Sequence, residues 1–217
     1  MTRLKSKSAD TAATPRTRAR RGEGDKLRED IIDVVEKLLL ETGDESAVSM
    51  RAIAKAVGVT PPAIYMHFDD KDSMIQAICD RRFREMNEVL RKARDSTGDP
   101  LEGLKRMGRA YVGFGTENPE PYRLLMMTKH EHDDYNVTPD ADDPSEGDIA
   151  FSLLVEQVTR CIETGVFKEM DPLEASLIVW SGVHGLTALV ITTPENYGWP
   201  GDITDRLCDV MMEGLSH

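Results

Sequence analysis

Apolar residues recur every three or four positions along most of the chain, which is the spacing of amphipathic helices. The first stripe, which includes Leu27, Ile31 and Val35, predicts a helix over about 25–42. Similar stripes predict helices over 49–56, 61–67, 70–94, 100–115, 148–165 and 203–215, with a short one within 121–129. The stretch 177–191 is apolar on nearly every side, yet it is shorter than the roughly 20 residues of a membrane span. The pattern therefore predicts an all-α protein without a membrane segment.

Start and stop signals divide the first part of the chain into short helices. Residue types that cap helix N-termini stand at Ser49, Thr60 and Asp70. Gly58 suits a tight turn between the second and third helices. Pro61 and Pro62 fit the first turn of a helix, because the N–H groups there have no intrahelical partner. Two short helices joined by a glycine turn are typical of the helix-turn-helix DNA-binding motif.

Charge is distributed unevenly along the chain, although the formal net charge is −12. Residues 1–94 contain 19 Lys and Arg against 16 Asp and Glu, whereas residues 95–217 contain 8 against 23. Residues 1–24 are polar and basic, and they have too few apolar positions for a core or a signal peptide. We expect them to form a disordered basic arm that supplements DNA binding, with a merely solvated tail as the alternative.

Residues 27–79 resemble the N-terminal domain of TetR-family transcriptional regulators along their full length. The resemblance rests on VSMRAIAKAVGVT at 48–60, on IYMHF at 64–68 and on the lysine that follows Phe68 by three residues. It implies a helix-turn-helix domain over 25–72 that binds a double-stranded DNA operator. The Pro61-Pro62 pair departs from the small or polar residue and glycine that family members often have there, so the operator preference does not carry over.

The second half is similar to a TetR subgroup whose C-terminal domain has a Trp…His-Gly motif. The matching segments lie at 109–126 and 179–189, with Trp180, His184 and Gly185 at the motif positions. The resemblance implies a helical ligand-binding and dimerisation domain over 73–217. It also implies a repressor that leaves its operator when a small molecule binds.

The recognition helix must present its first turn to base edges and its flanks to phosphates. A threonine, a tyrosine and basic side chains supply hydrogen bonds, while compact residues permit close approach to a thymine methyl group. For each polar candidate, simple exposure to solvent is the alternative. The candidate DNA-contacting residues are Arg51, Thr60, Pro61, Pro62, Ala63, Tyr65, His67 and Lys71.

Bulky and adaptable side chains are concentrated in the second half, where they predict either a core or a cavity for an apolar or aromatic molecule. The acidic balance disfavours an anionic ligand and favours a neutral or cationic one. His184 is the candidate polar contact, with a core histidine as the alternative. The candidate ligand-binding residues are Met107, Tyr111, Phe114, Tyr122, Met126, Phe151, Trp180 and His184. The apolar faces of 177–191 and 203–215 also predict a homodimer through a four-helix interface.

Other chemistry is weakly supported. Three scattered cysteines indicate reduced thiols in a cytoplasmic protein. His130, His132 and Asp133 do not have the spacing of a standard zinc site. No motif for a catalytic nucleophile or a phosphate-binding loop is present, so we expect no cofactor, no metal and no enzyme activity. The predicted function is a ligand-responsive DNA-binding regulator; a regulator without an effector is the main alternative, and a helical enzyme is a remote one.

Overall fold

A computed structural model describes residues 23–42, 48–128, 144–194 and 197–216. These residues form helices joined by short connections, with one isolated β-bridge between Phe167 and Ser216. The all-α prediction is confirmed for this part of the chain. The helices are α1 Glu23–Thr42, α2 Met50–Val57, α3 Pro61–Ile64, α4 Lys71–Asp95, α5 Pro100–Glu117, α6 Pro119–Met126, α7 Glu146–Glu163, α8 Pro172–Thr192 and α9 Ile203–Leu215.

The turn between α2 and α3 follows from local chemistry. The Ser49 hydroxyl accepts a hydrogen bond from the N–H of Ala52 at 3.2 Å, which caps α2. Gly58 ends that helix with φ at 77°, a left-handed conformation that glycine adopts without the steric cost of a side chain. Ile53 and Ile64, one from each helix, are fully buried and hold the pair against the core.

The longest helix, α4, connects the two halves of the molecule. It begins with a capping box in which Asp70 accepts from the Ser73 N–H at 2.7 Å and the Ser73 hydroxyl lies 3.4 Å from the Asp70 N–H. Its first turns pack on α1, and its later turns pack on α5 and α7. Because α4 runs without a break through residues 72 and 73, the predicted domain boundary lies inside a helix.

The second half is a bundle centred on α5, which contacts α4, α7, α8 and α9. One buried cluster runs from the helix-turn-helix into this bundle, and a second one lies around Phe167 and Leu215 near the chain end. Cys79, Cys161 and Cys208 are all buried, and none of the three is in a disulfide. The helix α8 is long and apolar enough to cross a membrane by length and composition, and a third of its apolar window is buried.

Several predicted boundaries need correction. The helix α1 already includes residues 23 and 24, which the sequence assigned to the basic arm. The helix α3 ends at Ile64, and residues 65–67 form a hydrogen-bonded turn in which the His67 N–H bonds to the carbonyl of Ile64, three residues earlier rather than four. The helix α7 starts at Glu146 because Ser145 and Asp148 form a capping box. The rest of the basic arm and the segment with His130 and His132 lie outside the described residues.

Candidate nucleic-acid interface and ligand cavity

The helix-turn-helix presents an outer surface without acidic residues. From Val48 to Phe68 the chain has two basic side chains, Arg51 and Lys55, and no Asp or Glu. Both are exposed on α2. At the end of α3, the Tyr65 side chain is 53% exposed. A surface of this kind suits the phosphate backbone of DNA, whose charge dominates the affinity of most DNA-binding proteins.

The two prolines leave the hydroxyl of Thr60 outside the helix cap. An N-cap side chain accepts from the second or third N–H of the helix, but Pro62 has no N–H. The third N–H, on Ala63, bonds to the carbonyl of Thr60 at 2.9 Å. The Thr60 side chain therefore makes no capping hydrogen bond, contrary to the capping role expected of it. Thr60 is exposed, as is Pro62, so the Thr60 hydroxyl is available to a phosphate or a base edge.

The remaining candidates lie at the edges of this surface. His67 is half-buried, and its ring lies close to Gly24 at the start of α1. Phe68 is buried, with the Arg28 guanidinium 5.0 Å from its ring centroid, as expected for a core anchor. Lys71 opens α4 and is half-buried. The structure thus gathers the predicted DNA-contacting residues around one turn, with Arg51 on the helix before it.

A cavity of about 330 Å³ lies inside the second half of the molecule. Five of the eight predicted ligand-binding residues line it: Met107, Tyr111, Met126, Phe151 and Trp180. The lining is mainly apolar, and the volume falls in the range of small-molecule sites, roughly 300–1,000 Å³. The rings of Phe151 and Trp180 meet edge to face, with centroids 6.0 Å apart.

Phe114, Tyr122 and His184 do not line this cavity. Phe114 is buried in the core, and Tyr122 is completely buried behind Tyr111. His184 lies on the side of α8 next to Tyr122, with its Nδ1 2.7 Å from the Tyr122 hydroxyl. The histidine therefore serves the core, which is the alternative that its sequence context left open.

A chain of hydrogen bonds connects the cavity wall to His184. The Trp180 Nε1 donates to the Tyr111 hydroxyl at 3.2 Å, and the two tyrosine hydroxyls lie 3.0 Å apart. An indole N–H can only donate, and the opposite order between the tyrosines would leave the Tyr111 proton only the long contact to Nδ1 of His184, at 3.5 Å, in place of the 2.7 Å contact that Tyr122 makes. We therefore assign donation from Trp180 to Tyr111, then to Tyr122, and finally to Nδ1 of His184.

Burial keeps every member of this chain uncharged. It raises the pKa of both tyrosines, so they stay protonated, and it lowers the pKa of His184, so the imidazole is neutral and accepts through Nδ1. The Tyr111 hydroxyl and the Trp180 N–H thereby have their hydrogen-bond partners within the protein. The donors and acceptors of this chain have a fixed order. Tyr111 and Trp180 line the cavity.

The helix α4 connects the cavity to α1, the helix that precedes the helix-turn-helix. Phe83, Met86 and Leu90 of α4 line the cavity. Just before Phe83 in the same helix, Arg81 and Arg82 form ion pairs with Glu36 of α1, and the Arg82 Nε lies 2.5 Å from the carboxylate. Glu36 is 5% exposed, so these ion pairs are shielded from water. We therefore expect a shift of α4 at the cavity to displace α1 as well.

The first turn of α7 is also tied to α4. Asn87, which is completely buried, donates to the Glu146 backbone carbonyl at 2.9 Å and to its carboxylate at 3.0 Å. The Arg84 Nε donates to the same carboxylate at 3.1 Å. The next residues of α7, Gly147 and Asp148, line the cavity. This turn thus forms one wall of the cavity and is held by the connecting helix.

Comparison with known proteins identifies the family. Residues 104–215 match the family described as tetracyclin repressor-like, C-terminal domain, and residues 31–78 match bacterial regulatory proteins, tetR family. The chain belongs to the TetR family. This confirms the resemblance seen in the sequence, while membership in the Trp-His-Gly subgroup stays a prediction.

Individual relatives of this TetR-family protein match different shares of the chain. The HTH-type transcriptional regulator AcrR of Shigella flexneri is 36% identical over 48% of this chain and 48% of its own length. The regulator YobS of Bacillus subtilis is 23% identical over 73% of this chain and 80% of its own length. The alignment with AcrR thus spans about half of that relative.

Solved structures share the overall fold of this TetR-family protein. A protein of unknown function from Rhodococcus sp. RHA1 superposes with a TM-score of 0.72 at 22% identity, covering 88% of this chain and 96% of that one. The regulator PfmR of Thermus thermophilus gives 0.60 at 22% identity, covering 86% and 99%. The similarity shows the arrangement of helices and no more.

Sequence reasoning missed several cavity residues of this TetR-family protein. Phe83, Met86 and Leu90 of α4 line the cavity, but they were not among the predicted ligand-binding residues. Residue 148 was predicted to begin this helix, whereas Asp148 is the third residue of α7. The spacing of Ser145 and Asp148 is that of a capping box, and this signal would have located the helix start and its carboxylate.

The neutral histidine leads to a prediction about pH. Because the pKa of His184 is lower in the folded protein, the unfolded chain binds more protons between the lowered pKa and the ordinary value of about 6.5. Stability should therefore fall as the pH drops through this window. His184→Asn keeps an acceptor near the Tyr122 hydroxyl but does not titrate. We expect its melting temperature to fall less than that of the wild type between about pH 7 and about pH 5.5.

The same substitution at His67, outside this hydrogen-bonded chain, controls for the loss of a histidine as such. Thermal denaturation across the pH series provides the measurement. Identical pH dependence in the wild type and His184→Asn would contradict the neutral state of this half-buried imidazole.

Proposed function

We propose that this TetR-family protein is a DNA-binding transcriptional regulator that a small molecule releases from its operator. The main support is the helix-turn-helix itself, whose exposed face has two basic residues, no acid and an exposed tyrosine next to the recognition turn. The Thr60 hydroxyl and the Tyr65 hydroxyl supply hydrogen bonds, and Arg51 and Lys71 supply charge. Pro61, Pro62 and Ala63 give a compact surface that permits close approach to the base edges.

The regulator works as a homodimer. The residues Ile178, Gly185 and Leu189 fall on one stripe of α8, and Ile178 and Leu189 are among its exposed apolar side chains. Val210 of the neighbouring α9 is also exposed. An apolar face of this kind favours contact with a second copy, and two helices from each chain make a four-helix interface.

The cavity supplies the regulation. Two recognition helices must be about 34–36 Å apart, or near a multiple of it, to enter successive major grooves. The helix α4 lines the cavity and is joined to α1 by ion pairs. A ligand that fits the cavity better at another angle of α4 therefore shifts the population of dimers away from the spacing that binds DNA. We propose an apolar or aromatic effector that contacts Met107, Tyr111, Met126, Phe151 and Trp180.

The DNA-binding role predicts a specific effect of Tyr65→Phe. This change removes one exposed hydroxyl and keeps the ring, so it removes a hydrogen bond of about 1 kcal/mol and lowers operator affinity about fivefold. Affinity for the operator found upstream of the protein's own gene, measured by fluorescence anisotropy at fixed salt, checks the effect.

Tyr197→Phe is the matched control, because Tyr197 is an equally accessible tyrosine between α8 and α9. It should leave operator affinity unchanged. If both variants bind as the wild type does, Tyr65 makes no DNA contact; if the wild type itself binds no DNA from its own upstream region, the proposed function is wrong for that site.

A further inference from the structure

We propose that the cavity binds a lipophilic ammonium ion and that Asp148 is the carboxylate that pairs with it. The inference rests on the proposed ligand-binding function and adds the charge of the ligand and the residue that selects it. Sequence reasoning favoured a neutral or cationic molecule from overall composition, without naming a group that would distinguish the two.

Asp148 is the one charged side chain among the described residues that line the cavity. Its Oδ2 accepts two hydrogen bonds, from the Ser145 N–H at 2.9 Å and the Ser145 hydroxyl at 2.7 Å. Both donors are neutral, so they orient the carboxylate without cancelling its charge. This leaves Oδ1 as the acceptor for a ligand.

An anionic ligand would find no counter-charge in this wall. No Lys, Arg or His belongs to the described lining. The basic residues of α5 near the cavity point elsewhere and have acidic partners: Lys105 pairs with Asp209 at 2.6 Å, and Arg109 pairs with Asp205. The start of α7 would otherwise attract an anion, but the carboxylate of Asp148 already occupies that position.

A neutral ligand fits the apolar wall but leaves Asp148 without compensation. Asp148 is half-buried, so a ligand that fills the cavity removes part of the water around its carboxylate, and this loss of hydration is costly unless a counter-charge replaces it. A cation removes this cost and also gains from the surrounding rings. Phe83, Tyr111, Phe151 and Trp180 all line the same cavity, and aromatic faces attract ammonium ions.

Three probes with one carbon skeleton test the charge directly. Phenylbutylamine is cationic near neutral pH, phenylbutanol is neutral and phenylbutyrate is anionic. Binding to the full-length protein without DNA is measured by isothermal titration calorimetry. We expect the amine to bind about tenfold or more tighter than the alcohol, and the alcohol to bind tighter than the carboxylate.

The variant Asp148→Asn assigns the selectivity to one residue. Asparagine keeps a side-chain oxygen for the Ser145 N–H, so the cap of α7 is preserved. The variant should lose about tenfold in affinity for the amine and should bind the alcohol as the wild type does. Glu163→Gln is the control: it removes the same charge from the far end of the same helix, where Glu163 is exposed and does not line the cavity. It should leave the preference for the amine intact.

Each outcome bears on the inference. Amine affinity no greater than alcohol affinity, no binding of any probe, or an equal loss of all three probes in Asp148→Asn overturns it. The proposed function is tested separately by operator release. Selective amine binding that leaves operator affinity unchanged supports the inference and contradicts ligand-controlled release. Release by a neutral or anionic compound, without a preference for the amine, supports ligand-controlled release and contradicts the inference.

Discussion

Gly185→Leu is expected to convert the dimer into monomers and to lower operator affinity about 100-fold or more. A β-carbon at Gly185 meets no atom within 4 Å in the subunit, so a larger side chain is tolerated within one chain. In the proposed dimer, the same position lies between Ile178 and Leu189 on the face of α8 that meets its copy. A leucine there would hold the two helices apart. Losing the second recognition helix removes the advantage of two linked half-sites, which is typically 100- to 10,000-fold.

Gly113→Leu is the matched control for this prediction. Gly113 is a helical glycine of α5 at which an added β-carbon also meets no atom within 4 Å. The control variant should remain dimeric and bind the operator. Sedimentation velocity gives the oligomeric state, and circular dichroism shows whether each variant is folded. A folded Gly185→Leu protein that still sediments as a dimer would place the interface elsewhere.

A different glycine on α8 shows why the choice of position matters. A β-carbon at Gly182 would lie 2.2 Å from the Met211 sulfur, so a larger residue here would force the Met211 side chain to move between α8 and α9 within one subunit. The apolar stripe of α9 predicted that Met211 lies on the outer face. It is instead half-buried at the contact with Gly182. Changes at Gly182 or Met211 would disturb the fold together with any dimer.

Glu36→Ala is expected to lower the free energy of unfolding by about 3 kcal/mol. Glu36 is buried between α1 and α4, where it accepts from Arg81 and Arg82. Removing it leaves two half-buried guanidinium groups without their buried partner, and such a loss costs far more than breaking a surface ion pair. The contact also joins α1 to the helix that lines the cavity.

Asp33→Ala is the matched control, because Asp33 pairs with the same Arg81 at 2.6 Å but its side chain is 65% exposed. It should cost less than about 1 kcal/mol. Urea denaturation provides the free energies for both variants. An equally small loss in both would show that Glu36 is not the contact that couples the two halves.

Local sequence determined most of the helices and the helix-turn-helix. Ser49, Gly58 and Asp70 act within three or four residues of their own position, so their roles can be read without knowing the rest of the fold. The same holds for the apolar stripes, because helical spacing places residues three or four apart on one face. Membership of the TetR family was visible for the same reason, since its motif is a continuous segment.

Only the tertiary structure decided which bulky residues line a cavity and which fill the core. Tyr111 and Tyr122 look alike in sequence, yet one lines the cavity and the other is buried behind it. Asp148 acquired its place because α7 packs on α4, and Glu36 acquired its partners because α1 packs on the same helix. These contacts join residues about 45 to 60 positions apart. Helical periodicity specifies a buried face but not its neighbour, so only the packing of α4, α5, α7 and α8 determines where a space remains between them.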